Sequence, residues 1–257
     1  GHLINTHKAM GLVTKVFKED VLKTMPGTCA IGHVRYSTSG SSSLVNAQPI
    51  QVANHRGAVS LAHNGNLVNA PELRRAMEQG GSIFSTTSDS EVILHLMARS
   101  QAELAEDALL EALPQVRGAY SLVVITGDKV IAARDPHGFR PLCLGRFQDS
   151  YVVASESCAF DIIGARYLRD VEPGELVVLG QGELASRRIA PPAEVRRCVF
   201  EHVYFSRPDS HVFGTSVERV RRLSGEILGR EAPAEADLVT AVPDSSNTAA
   251  LGYARAA

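Results

Sequence analysis

Between residues 119 and 180 the sequence repeatedly folds back on itself. AYSLVVI (119–125) meets VIAARD (130–135) across Thr126-Gly127-Asp128-Lys129. PLCLG (141–145) is followed by YVVASE (151–156), and ELVVLG (175–180) runs into a turn around Gly180-Gln181-Gly182. Apolar runs joined by such short turns pair antiparallel, because a parallel crossover needs a dozen or more residues. Successive hairpins set among a few helices predict an α+β layered domain of antiparallel sheets.

The upstream half supplies the helices. CAIGHVRY (29–36) alternates and reads as a strand; STSGSSS (37–43) is a Ser/Gly loop; AVSLA (58–62) is a second strand. Asn69 is placed to cap a helix with Pro71 in its first turn and Glu72 bonding back, Leu73, Ala76 and Met77 on its apolar face, and Gly80-Gly81 at its end. Ser88-Asp89-Ser90-Glu91 reads as another capping box before VILHLMARS, and a third helix at about 102–113 stops at Pro114. The Pro-rich stretch APPAE (190–194) is the linker candidate. Beyond it a helix at about 215–230 precedes ADLVTAVPDSS (236–246), a continuous apolar strand entering a polar loop, as at the start of an α/β unit with a parallel strand. The domains are therefore set at 1–193 and 194–257.

Composition excludes several classes. The 257 residues carry a net charge of -2 and no basic stripe, which argues against a nucleic-acid surface. No apolar run approaches a membrane span, and no signal peptide is visible. The four cysteines, Cys29, Cys143, Cys158 and Cys198, form no CxxC pair and read as reduced thiols of a cytoplasmic protein. Gly1 opens in a strand-like run without an initiator Met, and residues 251–257 stop inside a helical pattern, so the chain is expected to be a fragment.

Several polar residues fit one kind of site. Arg35, between a strand and the Ser/Gly loop, can fork onto a carboxylate or phosphate, or be an ordinary surface arginine. Asn64-Gly65 can be an Asn-Gly turn, or an amide and an adjacent N–H donating to an oxyanion. Asp89 can complement a helix dipole, or be the counter-charge of a ligand ammonium. Together they describe a site for an α-amino acid with an attackable side-chain carbonyl, and glutamine fits. His33, His63 and His95 have no metal-ligand spacing and read as structural, and Glu201 and Asp209 have no partner that spacing can name.

The order of GHVRYST (32–38), LAHNGNLVN (61–69), TSDSEVI (87–93), GAYSL (118–122), RDPHGFRPL (134–142), SESCAFD (155–161) and VEPGE (171–175) resembles the glutaminase domain of the glutamine phosphoribosylpyrophosphate amidotransferases. EHVYFSRPDS (201–210) and VTAVPDSSNTAALGYA (239–254) resemble the linker and first strand of their phosphoribosyltransferase domain. The first three motifs are shared with other class II amidotransferases; VYFSRPDS followed by VPDSS narrows the match.

The resemblance implies an N-terminal-nucleophile αββα sandwich followed by the start of an α/β phosphoribosyltransferase domain. Arg35 would bind the glutamine carboxylate, with Thr38 beside it. Asp89 would bind the ammonium, and Asn64 and the Gly65 N–H would form the oxyanion hole. The activity implied is transfer of glutamine ammonia to 5-phosphoribosyl 1-pyrophosphate, giving 5-phosphoribosylamine in purine synthesis. Magnesium would serve the second domain, and the oligomer would be a dimer or tetramer. STSGSSS (37–43) is expected to close over glutamine as a lid. Cys198 matches one ligand of a 4Fe–4S cluster, whose other three cysteines would lie beyond residue 257. The family's nucleophile is an N-terminal cysteine acting with its own amino group. It is not among the cysteines here, so the fragment alone is expected to be inactive. Two other readings are a different class II amidotransferase and a glutamine-binding scaffold without the nucleophile.

Overall fold

A computed structural model describes residues 3–35, 43–127, 129–180, 183–191 and 193–257. In chain order its first elements are the short helices α1 (Val13–Val16) and α2 (Glu19–Lys23), strands β1 (Ile50–Asn54) and β2 (Gly57–Leu67), and helices α3 (Ala70–Gln79), α4 (Glu91–Arg99) and α5 (Ala105–Ala112). Strands β3 (Gly118–Thr126), β4 (Lys129–Arg134), β5 (Cys143–Phe147) and β6 (Ser150–Ala154) follow, then α6 (Cys158–Ile163), β7 (Arg166–Asp170), β8 (Glu175–Gly180) and β9 (Glu183–Arg188). The small strands β10 (His211–Val212) and β11 (Thr215–Ser216) precede α7 (Val217–Glu231) and α8 (Asn247–Ala256). The chain forms two compact units that interleave in sequence: Gly1–Gly138 with Glu172–Val195, and Phe139–Val171 with Arg196–Ala257.

The first unit is built on a six-stranded sheet, ordered β1-β2-β3-β4-β8-β9 and antiparallel at every pairing. One residue in two along each strand faces a helical layer. Leu61 and Leu67 of β2, Leu122 and Val124 of β3, and Ile131 of β4 pack there with Ile93 and Met97 of α4 and Leu109 of α5. Helix α4 buries Val92, Ile93, Leu94, Leu96 and Met97, nearly its whole circumference, so it lies inside the layer rather than upon it. Each fully buried Leu or Ile contributes roughly 1.5–3 kcal/mol.

The second unit holds a three-stranded antiparallel sheet, β6-β5-β7, bulged between Leu144 and Gly145. Its helices α7 and α8 pack almost backbone to backbone: a Cβ at Gly225 would lie 1.9 Å from the Ala249 carbonyl oxygen. A π-helical turn, Glu201–Phe205, is pinned by Arg221, whose Nε donates to His202 O at 2.6 Å and whose guanidinium also reaches Ser206 O at 2.8 Å. Glu201 pairs with Arg140 at 2.9 Å, and Asp209 with Arg207 at 2.7 Å, the partners that spacing alone did not name.

Several local expectations are corrected. Residues 29–35 form no strand, yet Cys29, Ile31, His33 and Arg35 are half-buried while Ala30, Gly32 and Val34 are exposed. The period-2 pattern is present, but no neighbour among the described residues supplies a ladder, and a strand exists only through its ladder. Residues 236–243 likewise form no strand, and Leu238 and Val242 are 79% and 82% exposed. Asn69 is the N-cap residue of α3 as expected, but its side chain makes no capping bond: its amide donates to Gln115 O at 3.0 Å and its oxygen accepts from Arg117 N at 2.8 Å. Ser88 does not cap α4, which begins at Glu91. The loop STSGSSS lies outside the described residues up to Ser42.

Candidate active site

The site residues are set out along the second half of β2. Asn64 and Gly65 do not turn the chain. They lie inside the strand, opposite Ser121 and Tyr120 of β3. The expectation of an Asn-Gly turn fails because β3 continues the ladder through to Leu67, and a ladder overrides the turn preference of Asn-Gly. Glycine is needed at 65 for space: a Cβ there would stand 2.0 Å from the Ala119 carbonyl oxygen and 2.6 Å from His63 Nε2.

His63 is buried and held at every polar atom that the structure describes. Its Nδ1 is 2.9 Å from Ser90 Oγ and its Nε2 is 3.2 Å from Ala119 O. Its backbone N–H donates to Gln48 Oε1 at 2.6 Å, and its carbonyl accepts from Gln48 Nε2 at 3.4 Å. The residue just before Asn64 is thus fixed by β3, by the start of α4 and by the side chain of Gln48.

Asp89 stands ahead of the first helical residue of α4, not in its first turn. Its Oδ2 accepts from Leu67 N at 2.8 Å, and its Oδ1 accepts from Ser90 Oγ at 3.2 Å and is 3.9 Å from His63 Nδ1. The carboxylate therefore contacts β2 on either side of Asn64-Gly65. Behind it, the buried Glu91 accepts from Ser85 N at 2.7 Å, Thr86 N at 2.8 Å and Thr86 Oγ1 at 2.7 Å, which folds the 85–90 segment into shape.

On the other face of the sheet a cavity of about 780 Å³ is lined by His33, Arg35, Gln48 and Ser60, among others. Side chains four residues apart on a strand share a face, so Asn64 projects from the same face as Ser60. His33 is held far below the usual imidazole range, at about 4: burial opposes its charge first, then the positive charges of His63 and Arg35. His33 thus stands in this cavity as a neutral ring. Thr38 lies outside the described residues. Cys198 belongs to the second unit, half-buried, with its N–H donating to Phe139 O at 3.0 Å.

Asn64, Gly65 and Asp89 therefore share one stretch of β2. Arg35 lines the cavity on the face from which Asn64 projects. The sequence did not single out Gln48 or Asn46, because a polar residue beside a strand carries no periodicity that would mark it, and it marked Ser90 and Glu91 only as members of a capping box.

A family model described as glutamine amidotransferase domain matches residues 33–161. Amidophosphoribosyltransferase 2, chloroplastic, of Arabidopsis thaliana is 51% identical over 253 residues, which are 98% of this chain and 45% of that protein. The amidophosphoribosyltransferase of Bacillus subtilis (strain 168) is 46% identical over 257 residues, 100% of this chain and 54% of that protein. The solved glutamine phosphoribosylpyrophosphate amidotransferase from B. subtilis, complexed with ADP and GMP, matches with a TM-score of 0.90 at 46% identity, covering 96% of this chain and 53% of that one. The chain spans about half the length of the curated relatives it matches.

Proposed function

The chain belongs to the glutamine amidotransferase family, with the α+β class II fold of the amidophosphoribosyltransferases, and on that premise we propose that the longer protein transfers glutamine ammonia to 5-phosphoribosyl 1-pyrophosphate. The product is 5-phosphoribosylamine, at the opening of de novo purine synthesis. Residues 1–193 act as the glutaminase domain, and residues 194–257 begin the phosphoribosyltransferase domain. The observation that carries this reading is the anchoring of Asp89 to Leu67 N, beside Asn64-Gly65 in a strand that β3 holds extended.

Arg35 pairs with the glutamine α-carboxylate, Thr38 beside it, and Asp89 with the α-ammonium. Attack of a cysteine thiolate on the side-chain amide puts negative charge on the carbonyl oxygen. Asn64 Nδ2 and the Gly65 N–H donate to that oxygen. Collapse of the intermediate releases ammonia and leaves a γ-glutamyl thioester, which water converts to glutamate. The ammonia then displaces pyrophosphate from C1 of the phosphoribosyl group. Magnesium, bound outside this chain, would neutralise the leaving pyrophosphate.

Cys198 is kept as one ligand of a 4Fe–4S cluster, with its fit incomplete here. Such a cluster takes four thiolates, and no group of three or more His, Cys, Asp or Glu side chains that could hold a metal ion occurs among the described residues. The remaining ligands would have to come from the rest of the longer protein, whose iron and acid-labile sulfide content tests the assignment. No helix of the described residues is long and apolar enough to cross a membrane; we assign the protein to the cytoplasm, as a dimer or tetramer.

The test is glutamine-dependent pyrophosphate release by the full-length protein, wild type against Asn64→Ala. Loss of one oxyanion donor lowers the rate by about 10²–10³-fold. Glutamine hydrolysis with no response to the phosphoribosyl substrate would instead favour another class II amidotransferase.

A further inference from the structure

Two side-chain amides, two residues apart, each grip a different half of the glutamine site. Asn46 is fully buried at the end of a 3₁₀ turn, Leu44–Asn46. Its Nδ2 donates to Thr87 Oγ1 at 2.8 Å, and its Oδ1 accepts from Thr87 N at 3.0 Å. Thr87 lies two residues before Asp89. Gln48 does the same to the strand: its Oε1 accepts from His63 N at 2.6 Å and its Nε2 donates to His63 O at 3.4 Å. His63 precedes Asn64.

An amide side chain presents one donor and one acceptor in a plane, as a peptide unit does. At His63, Gln48 therefore imitates a neighbouring strand, on a stretch where the β1–β2 ladder has already ended at Leu61. Asn46 likewise fixes the main chain that aims Asp89. The segment 46–48 thus sets the distance between the residue that donates to the oxyanion and the residue that receives the ammonium.

We infer that Asn46 and Gln48 are positioning residues for the glutaminase reaction, Gln48 acting on the oxyanion side and Asn46 on the ammonium side. This rests on the assignment of Asn64 and Asp89 above. Charge on the oxyanion develops only in the transition state, so loosening Gln48 lowers kcat. The ammonium contact is already made in the bound substrate, so loosening Asn46 raises KM.

The experiment is steady-state glutamine hydrolysis by the full-length protein, with Asn64→Ala as reference. Gln48→Leu is expected to lower kcat about tenfold with KM within about twofold, the effect of one well-placed hydrogen-bonding group. Gln48→Glu keeps the acceptor for His63 N–H but sets a second acceptor against His63 O, so it is expected to recover only part of that loss. Asn46→Ala is expected to raise KM about tenfold with kcat nearly kept. Thr87→Val removes only the Oγ1 contact and leaves the backbone bond, so it shifts KM in the same direction by less, without the folding risk of Asn46→Ala. Loss of kcat and KM together in both variants, with a matching fall in melting temperature, reduces the segment to a structural tie and overturns the inference. Wild-type kinetics in all of them, while Asn64→Ala collapses, overturns it as well. Wild-type hydrolysis by Asn64→Ala itself would instead refute the underlying site, whatever the other variants do.

Discussion

Gly65→Ala converts the closest backbone approach in the candidate site into a collision. The added methyl would sit 2.0 Å from Ala119 O, 2.6 Å from His63 Nε2 and 2.7 Å from the Ala119 carbonyl carbon. Reaching ordinary contact, at about 3.4 Å, requires ~1.4 Å of separation from a backbone oxygen that cannot rotate away. From Ser121 onward β3 is bonded to β2 on one side and to β4 on the other, which limits how far the adjoining Ala119 can retreat. On β2 the pairing with β1 ends at Leu61, and beyond it that side is held by Gln48 at His63 and by Asp89 at Leu67, so the stretch between those two anchors is the part that gives. The strand therefore swings outward and carries Asn64 and the Gly65 N–H with it. A displacement of ~1 Å at a positioned group costs about 10²-fold in rate, and overpacking of this kind costs about 1–3 kcal/mol of stability. The assay is glutamine hydrolysis by the full-length protein, with kcat and melting temperature measured on the same samples. Gly57→Ala is the control. Gly57 has a φ of +112° at the first residue of β2, but nothing lies within 4 Å of its Cβ position. That variant loses about 1–3 kcal/mol through backbone strain alone and keeps kcat. If Gly65→Ala keeps kcat within about threefold of wild type, the oxyanion geometry argued here is wrong, because a shift of that size cannot leave a donor in place.

Two further outcomes follow from the same neighbourhood. Glu91→Ala leaves the N–H groups of Ser85 and Thr86 without their acceptor and is expected to cost about 3–5 kcal/mol, read from chemical denaturation. His33 carries a pKa depressed to about 4 from 6.5, so between those values the unfolded chain binds a proton that the folded one refuses. Stability therefore rises with pH across that window and levels off above it. His33→Gln should flatten the dependence of the denaturation midpoint between about pH 4 and 6.5, and an unchanged slope would refute the assignment.

The hairpins were legible because their cause is local. Antiparallel pairing of β3 with β4 needs only two apolar runs and a turn, and that of β8 with β9 is signalled by an apolar run entering Gly180-Gln181-Gly182, all within a short window of sequence. The order of strands was not legible: β4 pairs with β8 across the inserted β5–β7 segment, and nothing between Arg134 and Glu175 announces that return. The failed strand at 29–35 makes the same point in reverse. Its alternation survives as alternating exposure, but a ladder is a property of two segments, and alternation reports on one.

The same distinction separates the parts of the site. Asn64, Gly65, Arg35 and Asp89 could be named from the sequence because each is a residue type with a chemical role, in a motif with neighbours. What holds them could not be. Thr87 bonds Asn46 across 41 positions, His63 bonds Ser90 across 27 and Gln48 across 15, and each bond joins a side chain to a group that the local pattern leaves unmarked. Even Asn69, which spacing places correctly at the N-cap of α3, turns its side chain to the backbone at Gln115 and Arg117, and Ser88 stands two residues ahead of the N-cap of α4. A polar side chain at a strand end or before a helix is bound by whichever donor or acceptor the packed layers bring nearest, and burial makes leaving it unmatched costly. The residues of the candidate site are therefore written in the motifs, while the precision of its geometry is a product of the fold. Variants of Asn46 and Gln48 probe that second layer, and variants of Asn64 the first.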